Sequence, residues 1–384
     1  MMLDADRIVD RAVDDTGLSD FGGGSFREGL GVLTGALGAE AELTELGETI
    51  LEMRLRGLLV NRLRIEDAYR AAPKIDDEAV VAPLFIIGLP RTGTTALSNL
   101  LAADPLIRSL RLWESSDSVP PPQTGTEDHD PRIAATAAGL RAMYETFPKM
   151  RSLYFQSATG PTECQDLLGM EFRAVHFDGM AHVPTYTRWV IDCDMAPAYR
   201  YHRRTLRLLQ SQCPPRLWHL KTPVHMFSLD ALNATYPDAR FLWTHRDPAA
   251  VMGSVCSLIS YTRSWVSDRD DDAGLGAQQI ELWELALRRA IDFRDRMGEE
   301  RFTDIRFEEL NADPLGAVER AYADLNVALG DASRAAIGDW ARAHPPGAHG
   351  THEFALADFA LEAGAVRDRL GFYLRRFDVA LDGA

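Results

Sequence analysis

An apolar run that ends in a glycine turn restricts the fold of this chain more than any other feature. Residues Phe85-Ile86-Ile87-Gly88-Leu89-Pro90-Arg91-Thr92-Gly93-Thr94-Thr95 close a stretch, Val80 to Ile87 broken only by Pro83, that reads as a buried parallel strand. Ala96, Leu97, Leu100 and Leu101 then share one side of a helical period. Strand, turn and helix in that order aim backbone N–H groups and the positive end of a helix at an anion. The spacing Gly88-x4-Gly93-x-Thr95 fits the phosphate pattern G-x-x-x-x-G-K-[ST], except that Thr94 stands where the lysine belongs. That lysine reaches the β- and γ-phosphates of a nucleoside triphosphate, so its loss argues against ATP or GTP. The turn is expected to hold an anion through Arg91, Thr92, Gly93, Thr94 and Thr95, but not a triphosphate.

The same alternation returns later in the chain. Leu217 to Leu220, Arg240 to Thr244 and Phe302 to Phe307 read as strands, each followed by a helical pattern. Asp247-Pro248 and Asp313-Pro314 each supply an N-cap and a first-position proline. Strands separated by helices predict right-handed βαβ units and an α/β, P-loop-like three-layer fold around a central parallel sheet. Leu43 to Arg70 has a near-3.6 apolar period, so residues 1–75 are assigned to a helical N-terminal extension. Residues 76–384 form the α/β domain, with a helical, aromatic-rich insertion over about 123–213. Aromatics at helical spacing in that insertion are expected mainly in the core.

Composition limits the partners. A net charge of −16 on 384 residues is wrong for a protein that tracks nucleic-acid phosphates, so a polyanionic ligand must meet a local positive site. The acidic start Met1-Met2-Leu3-Asp4-Ala5-Asp6 lacks the basic and then apolar pattern of a signal peptide, and no apolar run approaches membrane-spanning length. Cys164, Cys193, Cys213 and Cys256 are far apart and form no C-x-x-C pair, which predicts free thiols in a reducing cytoplasm. A cytoplasmic protein without integral membrane association is the expectation.

A second anion site is readable at His245-Arg246-Asp247-Pro248. Arg246 sits where a strand gives way to a helix, and Ser254 follows about two turns in. A guanidinium fork and a hydroxyl can converge on one phosphate, and strand C-termini are where open α/β sheets bind ligands. The competing reading pairs Arg246 with Asp247 or a helix carbonyl.

Taken together, these segments resemble the sulfotransferase family. Pro90-Arg91-Thr92-Gly93-Thr94-Thr95 is similar to that family's 5′-phosphosulfate loop, and Arg246 to Ser254 to its 3′-phosphate motif, with matching Arg-to-Ser spacing. Trp218-His219-Leu220-Lys221-Thr222-Pro223-Val224-His225 looks like its lysine-bearing strand, and Ile305-Arg306-Phe307-Glu308-Glu309-Leu310 with Asp313-Pro314 like a later strand–helix element. The likeness spans residues 80 to 330 and is strongest to bacterial, mycobacterial-type members. His349-Gly350-Thr351-His352-Glu353-Phe354 to Asp358-Phe359 resembles a degenerate form of that subgroup's C-terminal loop. The resemblance implies 3′-phosphoadenosine 5′-phosphosulfate as co-substrate and 3′-phosphoadenosine 5′-phosphate as product. Two separate phosphate sites and no triphosphate lysine agree with it.

Sulfuryl transfer is an in-line displacement governed by positioning and charge stabilisation. Lys221, at a strand end and at the family's lysine position, is the first candidate to stabilise the bridging oxygen, with Arg91 sharing the task. The general base is open. Glu114, in Leu112-Trp113-Glu114-Ser115, follows the loop helix at about the distance where related tyrosylprotein-type enzymes carry a catalytic glutamate, and is placed first. Glu163 is its competitor, and His219, His225 and His176 stand behind both. His344, His349 and His352 match no zinc spacing, and no metal is expected. Two other functions remain in view: a P-loop nucleotide kinase or NTPase, and a non-catalytic nucleotide-binding protein of the same fold. The acceptor is expected to be a small-molecule, lipid or glycan hydroxyl, because an acidic surface repels a highly sulfated polyanion. The N-terminal helices serve either to cap the acceptor site or to join two copies as a homo-oligomer.

Overall fold

The structure is a computed structural model that describes residues 3–269, 272–345 and 354–382. Five parallel strands form its centre: β1 (Leu84–Gly88), β2 (Ile107–Ser109), β3 (Leu217–Lys221), β4 (Arg240–His245) and β5 (Phe302–Arg306), in the order β2-β3-β1-β4-β5. In register, Phe85 lies opposite Leu220 on one side and Phe241 on the other. Every residue of β1 is buried, as a strand covered on both faces requires. Pro83 cannot donate to a ladder, so the strand begins one residue after it rather than at Val80, and Pro83 instead accepts from Arg240 N at 3.0 Å. The short edge strand β2 carries no run that a sequence pattern would flag.

Alternate residues feed two cores. Leu84, Ile86, Leu242 and Ile305 pack with the helices Thr94–Ala102, Pro314–Asp324 and Asp331–Ala343. Phe85, Ile87, Leu220, Phe241 and Trp243 face the opposite layer, which includes Ala196–Gln210, Asp272–Met297 and the N-terminal helices. This two-sided alternation produces the three layers. Among the described residues, no helix is long and apolar enough to cross a membrane.

Three helices open the chain, Ala5–Thr16, Phe26–Glu40 and Glu45–Ala71. Asp4 and Thr44 cap the first and third, accepting from Arg7 N at 2.8 Å and Gly47 N at 3.0 Å. They are tied to the rest through Arg62, 1% exposed, which donates to Phe21 O, Met170 O and Glu171 Oε1 and lies 3.9 Å from the Tyr201 ring centre. Those bonds offset the cost of burying the charge. The long third helix also contributes Ile50 and Arg54 to the wall of the main cavity.

All five strands point the same way, so their carboxyl ends share one edge. Gly88, Lys221, His245 and Arg306 stand there, and the chain leaves β1 toward β2 on one side while β4 lies on the other. That is the switch point at which such sheets bind ligands.

Candidate active site

The turn after β1 is held in an unusual backbone shape. Gly88 has φ 136°, and a Cβ there would lie 2.5 Å from Thr244 Oγ1 and 2.6 Å from Thr244 O. Only glycine lets β1 end so close to β4. Arg91, with φ 67°, adopts the left-handed region without being glycine, at a cost of roughly 1 kcal/mol or more. Thr92 braces the turn by donating to Leu89 O at 2.7 Å and sharing a 2.6 Å hydrogen bond with Thr244 Oγ1. Gly93, φ 89°, then starts the helix Thr94–Ala102, and a Cβ on it would meet Leu310 and Phe307 at 3.1 and 3.2 Å. The segment after β5 is therefore the floor of the loop. Arg91, Gly93, Thr94 and Thr95 all line the cavity, whereas Thr92 is fully buried as a brace.

The turn after β1 and the segment from Arg246 to Ser254 meet. Arg91 Nε donates to Ser254 Oγ at 3.0 Å, and Arg246 Nη1 donates to Arg91 O at 3.3 Å. Ser254 is presented by the helix Pro248–Arg263, capped by Asp247, which accepts from Ala249 N at 3.0 Å. Arg246 pairs with neither Asp247 nor a helix carbonyl. Its guanidinium lies 4.1 Å from the Phe307 ring centre and donates to Asp382 Oδ2 through Nε and Nη2 at 3.1 and 2.9 Å. Asp247 is occupied by Arg367. Burial, then the charge of Arg246, lower the Arg91 pKa. An anion between the two guanidiniums would offset both effects by favouring the charged forms.

Lys221, 2% exposed, ends β3 and donates to Glu163 Oε1 at 2.8 Å and to Thr95 Oγ1 at 3.4 Å. Glu163 also accepts from Thr222 Oγ1 at 2.9 Å and Tyr154 OH at 3.3 Å. The backbone locks this pair in place, since Cys164 N donates to Lys221 O at 3.0 Å. Glu163, Tyr154, Arg91, Arg246 and Ser254 line one cavity of about 870 Å³. The rest of its lining mixes apolar residues, Met143, Met150, Leu258, Ile259, Trp265 and Trp283, with polar ones, Arg54, Asp166, His176, Asp178 and Gln279.

Glu114 lies outside this group. It is 1% exposed, accepts from Arg108 Nη2 at 2.9 Å and from Arg111 N at 3.3 Å, and closes the first turn of the helix Leu112–Ser116. Its carboxylate serves an ion pair and a helix cap, and it is not among the cavity-lining residues. Of the histidines, His219 links the layers: its ring nitrogens bond Ser98 Oγ at 2.9 Å and Ser109 Oγ at 2.7 Å. His225 is in the core against Tyr199 and Phe85, and of these three candidates His176 is the one among the described lining residues of the cavity. His344 stacks on Trp340 at 4.4 Å, while His349 and His352 lie outside the described residues.

Burial depresses His176 and His219 to a pKa of about 3, so both stay neutral when folded. An unfolded chain protonates them below pH 6.5, so folding stability present above that pH is lost as the pH falls toward 3. Each contributes up to about 1.4 kcal/mol per pH unit in that window. Urea denaturation at pH 7 and pH 5 is expected to show the loss, and a His219→Gln variant to show a shallower one; equal slopes would refute the assignment.

A lysine-free glycine turn, two guanidiniums and a buried lysine–carboxylate pair lie together at the carboxyl edge of the parallel sheet, where α/β folds of this class bind ligands. The model of the sulfotransferase family matches residues 83–331, and the chain belongs to that family. It is similar to two solved mycobacterial enzymes along almost its whole length. One is sulfotransferase STF1 from Mycobacterium tuberculosis H37Rv, 35% identical, TM-score 0.87, covering 97% of this chain and 99% of that one. The other is STF9 from Mycobacterium avium, 31% identical, TM-score 0.92, covering 99% and 98%. Among curated proteins it is 28% identical over 262 residues to the omega-hydroxy-beta-dihydromenaquinone-9 sulfotransferase Stf3 of Mycobacterium bovis and Mycobacterium tuberculosis. That match takes in 66% of this chain and 65% of those relatives' length.

Proposed function

We propose that this chain transfers the sulfuryl group of 3′-phosphoadenosine 5′-phosphosulfate to a hydroxyl on a largely apolar acceptor. The 3.0 Å bond between Arg91 and Ser254 carries the reading, because it sets the glycine turn and the Arg246 site within reach of one nucleotide. The donor set suits such a ligand. A helix N-terminus, Thr94, Thr95 and Arg91 suit the 5′ end; Arg246 and Ser254 suit the ribose phosphate.

When bound, the nucleotide supplies the electrophilic sulfur and a bisphosphate leaving group. Lys221 and Arg91 hold the negative charge that builds on the bridging oxygen as its bond to sulfur breaks. Glu163 takes the acceptor hydroxyl's proton as the new sulfur–oxygen bond forms. Lys221 and Glu163 are paired at 2.8 Å in the resting site, and Lys221 turning to the bridging oxygen frees the carboxylate to act as a base. Glu163 takes this role over Glu114 because it faces the cavity and touches the lysine.

The apolar part of the cavity lining supports an acceptor class. Met143, Met150, Leu258, Ile259, Trp265 and Trp283 suit an extended hydrocarbon better than a glycan. The curated relative's hydroxylated menaquinone has that character. Radiolabelled sulfuryl transfer to an ω-hydroxylated isoprenoid quinone, compared with a small phenol and a disaccharide, tests the reading. Faster transfer to the quinone supports it; transfer to the disaccharide alone refutes the acceptor class, and transfer to none refutes the activity.

Asp382 places a carboxylate on the Arg246 guanidinium and so competes with a phosphate. Asp382→Asn is expected to tighten adenosine 3′,5′-bisphosphate binding by up to about fivefold, the scale of a partly exposed ion pair. Calorimetry checks this, and weaker binding would contradict it.

A further inference from the structure

Directly behind the Glu163–Lys221 pair is a second cluster with no part in the transfer chemistry. Cys164 follows Glu163, His202 lies on the helix Ala196–Gln210, and His225 lies in the 3-10 turn Pro223–Phe227 that follows Lys221 and Thr222. Sγ of the cysteine and one ring nitrogen of each histidine lie within 4.8 Å of one another. All three residues are fully buried, and none of them lines the large cavity.

The hydrogen bonding of the rings is lopsided. His202 Nδ1 bonds Tyr236 OH at 2.7 Å and His225 Nδ1 bonds Tyr199 OH at 2.9 Å, while Nε2 of each is buried without a partner. Two unpaired ring nitrogens in a closed core are costly. A ring held at Nδ1 with Nε2 free is the usual arrangement of a metal-ligating histidine, its outer partner fixing tautomer and orientation.

We propose that Cys164, His202 and His225 form a binding site for a thiophilic d¹⁰ cation, with monovalent copper favoured over zinc. A thiolate and two imidazoles make a neutral three-coordinate complex with a monovalent ion but leave one positive charge with a divalent one. Burial penalises the charged complex, and the cavity gives no solvent-derived fourth ligand a route in. Ligand atoms around a shared ion stand about 3.5 Å apart, so groups that already lie within 4.8 Å of one another need draw together by no more than about 1.3 Å. The thiol loses its proton to solvent as the sulfur–metal bond forms during folding. Because the cluster is sealed, the ion enters as the chain folds. Once there it clamps the residue after Glu163 to the turn after Lys221, so the ion has a structural role next to the chemistry.

The test is to refold the full chain with buffered Cu(I), with Zn(II) or with neither, and to measure bound metal after desalting, together with the melting midpoint. One equivalent of either ion, absent from Cys164→Ser and retained by Cys213→Ser, supports the site, as does a midpoint raised only in proteins that keep Cys164. Cu(I) should be the ion retained at lower free concentration when both compete, and zinc retained at the lower concentration would overturn the preference for copper. No retained metal in the wild-type chain, or an equivalent that survives in Cys164→Ser, overturns the proposal. Wild-type binding is read directly, so a variant that fails to fold does not decide the matter.

Discussion

Glu163→Gln is expected to lower kcat by roughly 10²- to 10⁴-fold, the range of a lost general base. The amide keeps the shape of the side chain, and its single oxygen can accept either from Lys221 and Tyr154 or from Thr222, so the packing of the pocket is kept at the loss of one side of its hydrogen bonding. It cannot take the acceptor's proton. Affinity for adenosine 3′,5′-bisphosphate should stay within about threefold, because none of the residues assigned to the phosphates is changed. Glu114→Gln is the matched control. It neutralises the buried partner of Arg108, which retains Leu209 O and Cys213 O at 2.7 Å, so the expected loss is about 1–3 kcal/mol of stability, with turnover per folded molecule unchanged. Steady-state kinetics beside a denaturation curve separate the two effects. If Glu114→Gln removes turnover and Glu163→Gln does not, the base assignment is reversed.

Lys221→Met should cost about 10²- to 10³-fold in kcat, comparable to removing one charge-stabilising donor from an active site. Methionine approximates the length of the aliphatic stem and fills the buried space at the end of β3. The loss should fall on kcat more than on KM, since the lysine acts on charge that appears only as the bridging bond breaks. Glu163 is left with neutral partners, so some stability is lost as well, and rates must be scaled to the folded fraction. A Lys221→Met enzyme with normal kcat and weakened nucleotide binding would move the lysine from the leaving oxygen to a ground-state contact.

How much of this was legible depends on how local each element is. The glycine turn was readable because strand, turn and helix are contiguous, and its missing lysine is a single position. Arg246 and Ser254 were readable for the same reason: an N-cap, a proline and two helical turns set their relation within one segment. Phe307 shows what resemblance alone leaves out, since its motif was recognised but its packing against Gly93 and beneath Arg246 was not. Distance along the chain does not show which candidate base faces the cavity. Glu114 is near the loop helix in sequence, yet its position three residues after Arg111, with an arginine at 108, is that of a cap and ion-pair residue. Glu163 reaches Lys221 across 58 positions. No spacing rule reveals Asp382 on Arg246, 136 residues away, or the meeting of Cys164 with His202 and His225. Such contacts depend on tertiary packing, which sequence periodicity does not encode.

Calorimetric titration with adenosine 3′,5′-bisphosphate and, separately, with ATP bears most directly on the idea that both anion clusters grip one nucleotide. One bisphosphate should bind per chain, more tightly than ATP, and Arg91→Ala and Arg246→Ala should each weaken it by roughly 10-fold or more, the value of a charge-assisted contact. ATP binding more tightly than the bisphosphate, or an Arg246→Ala protein with unchanged affinity, would contradict it.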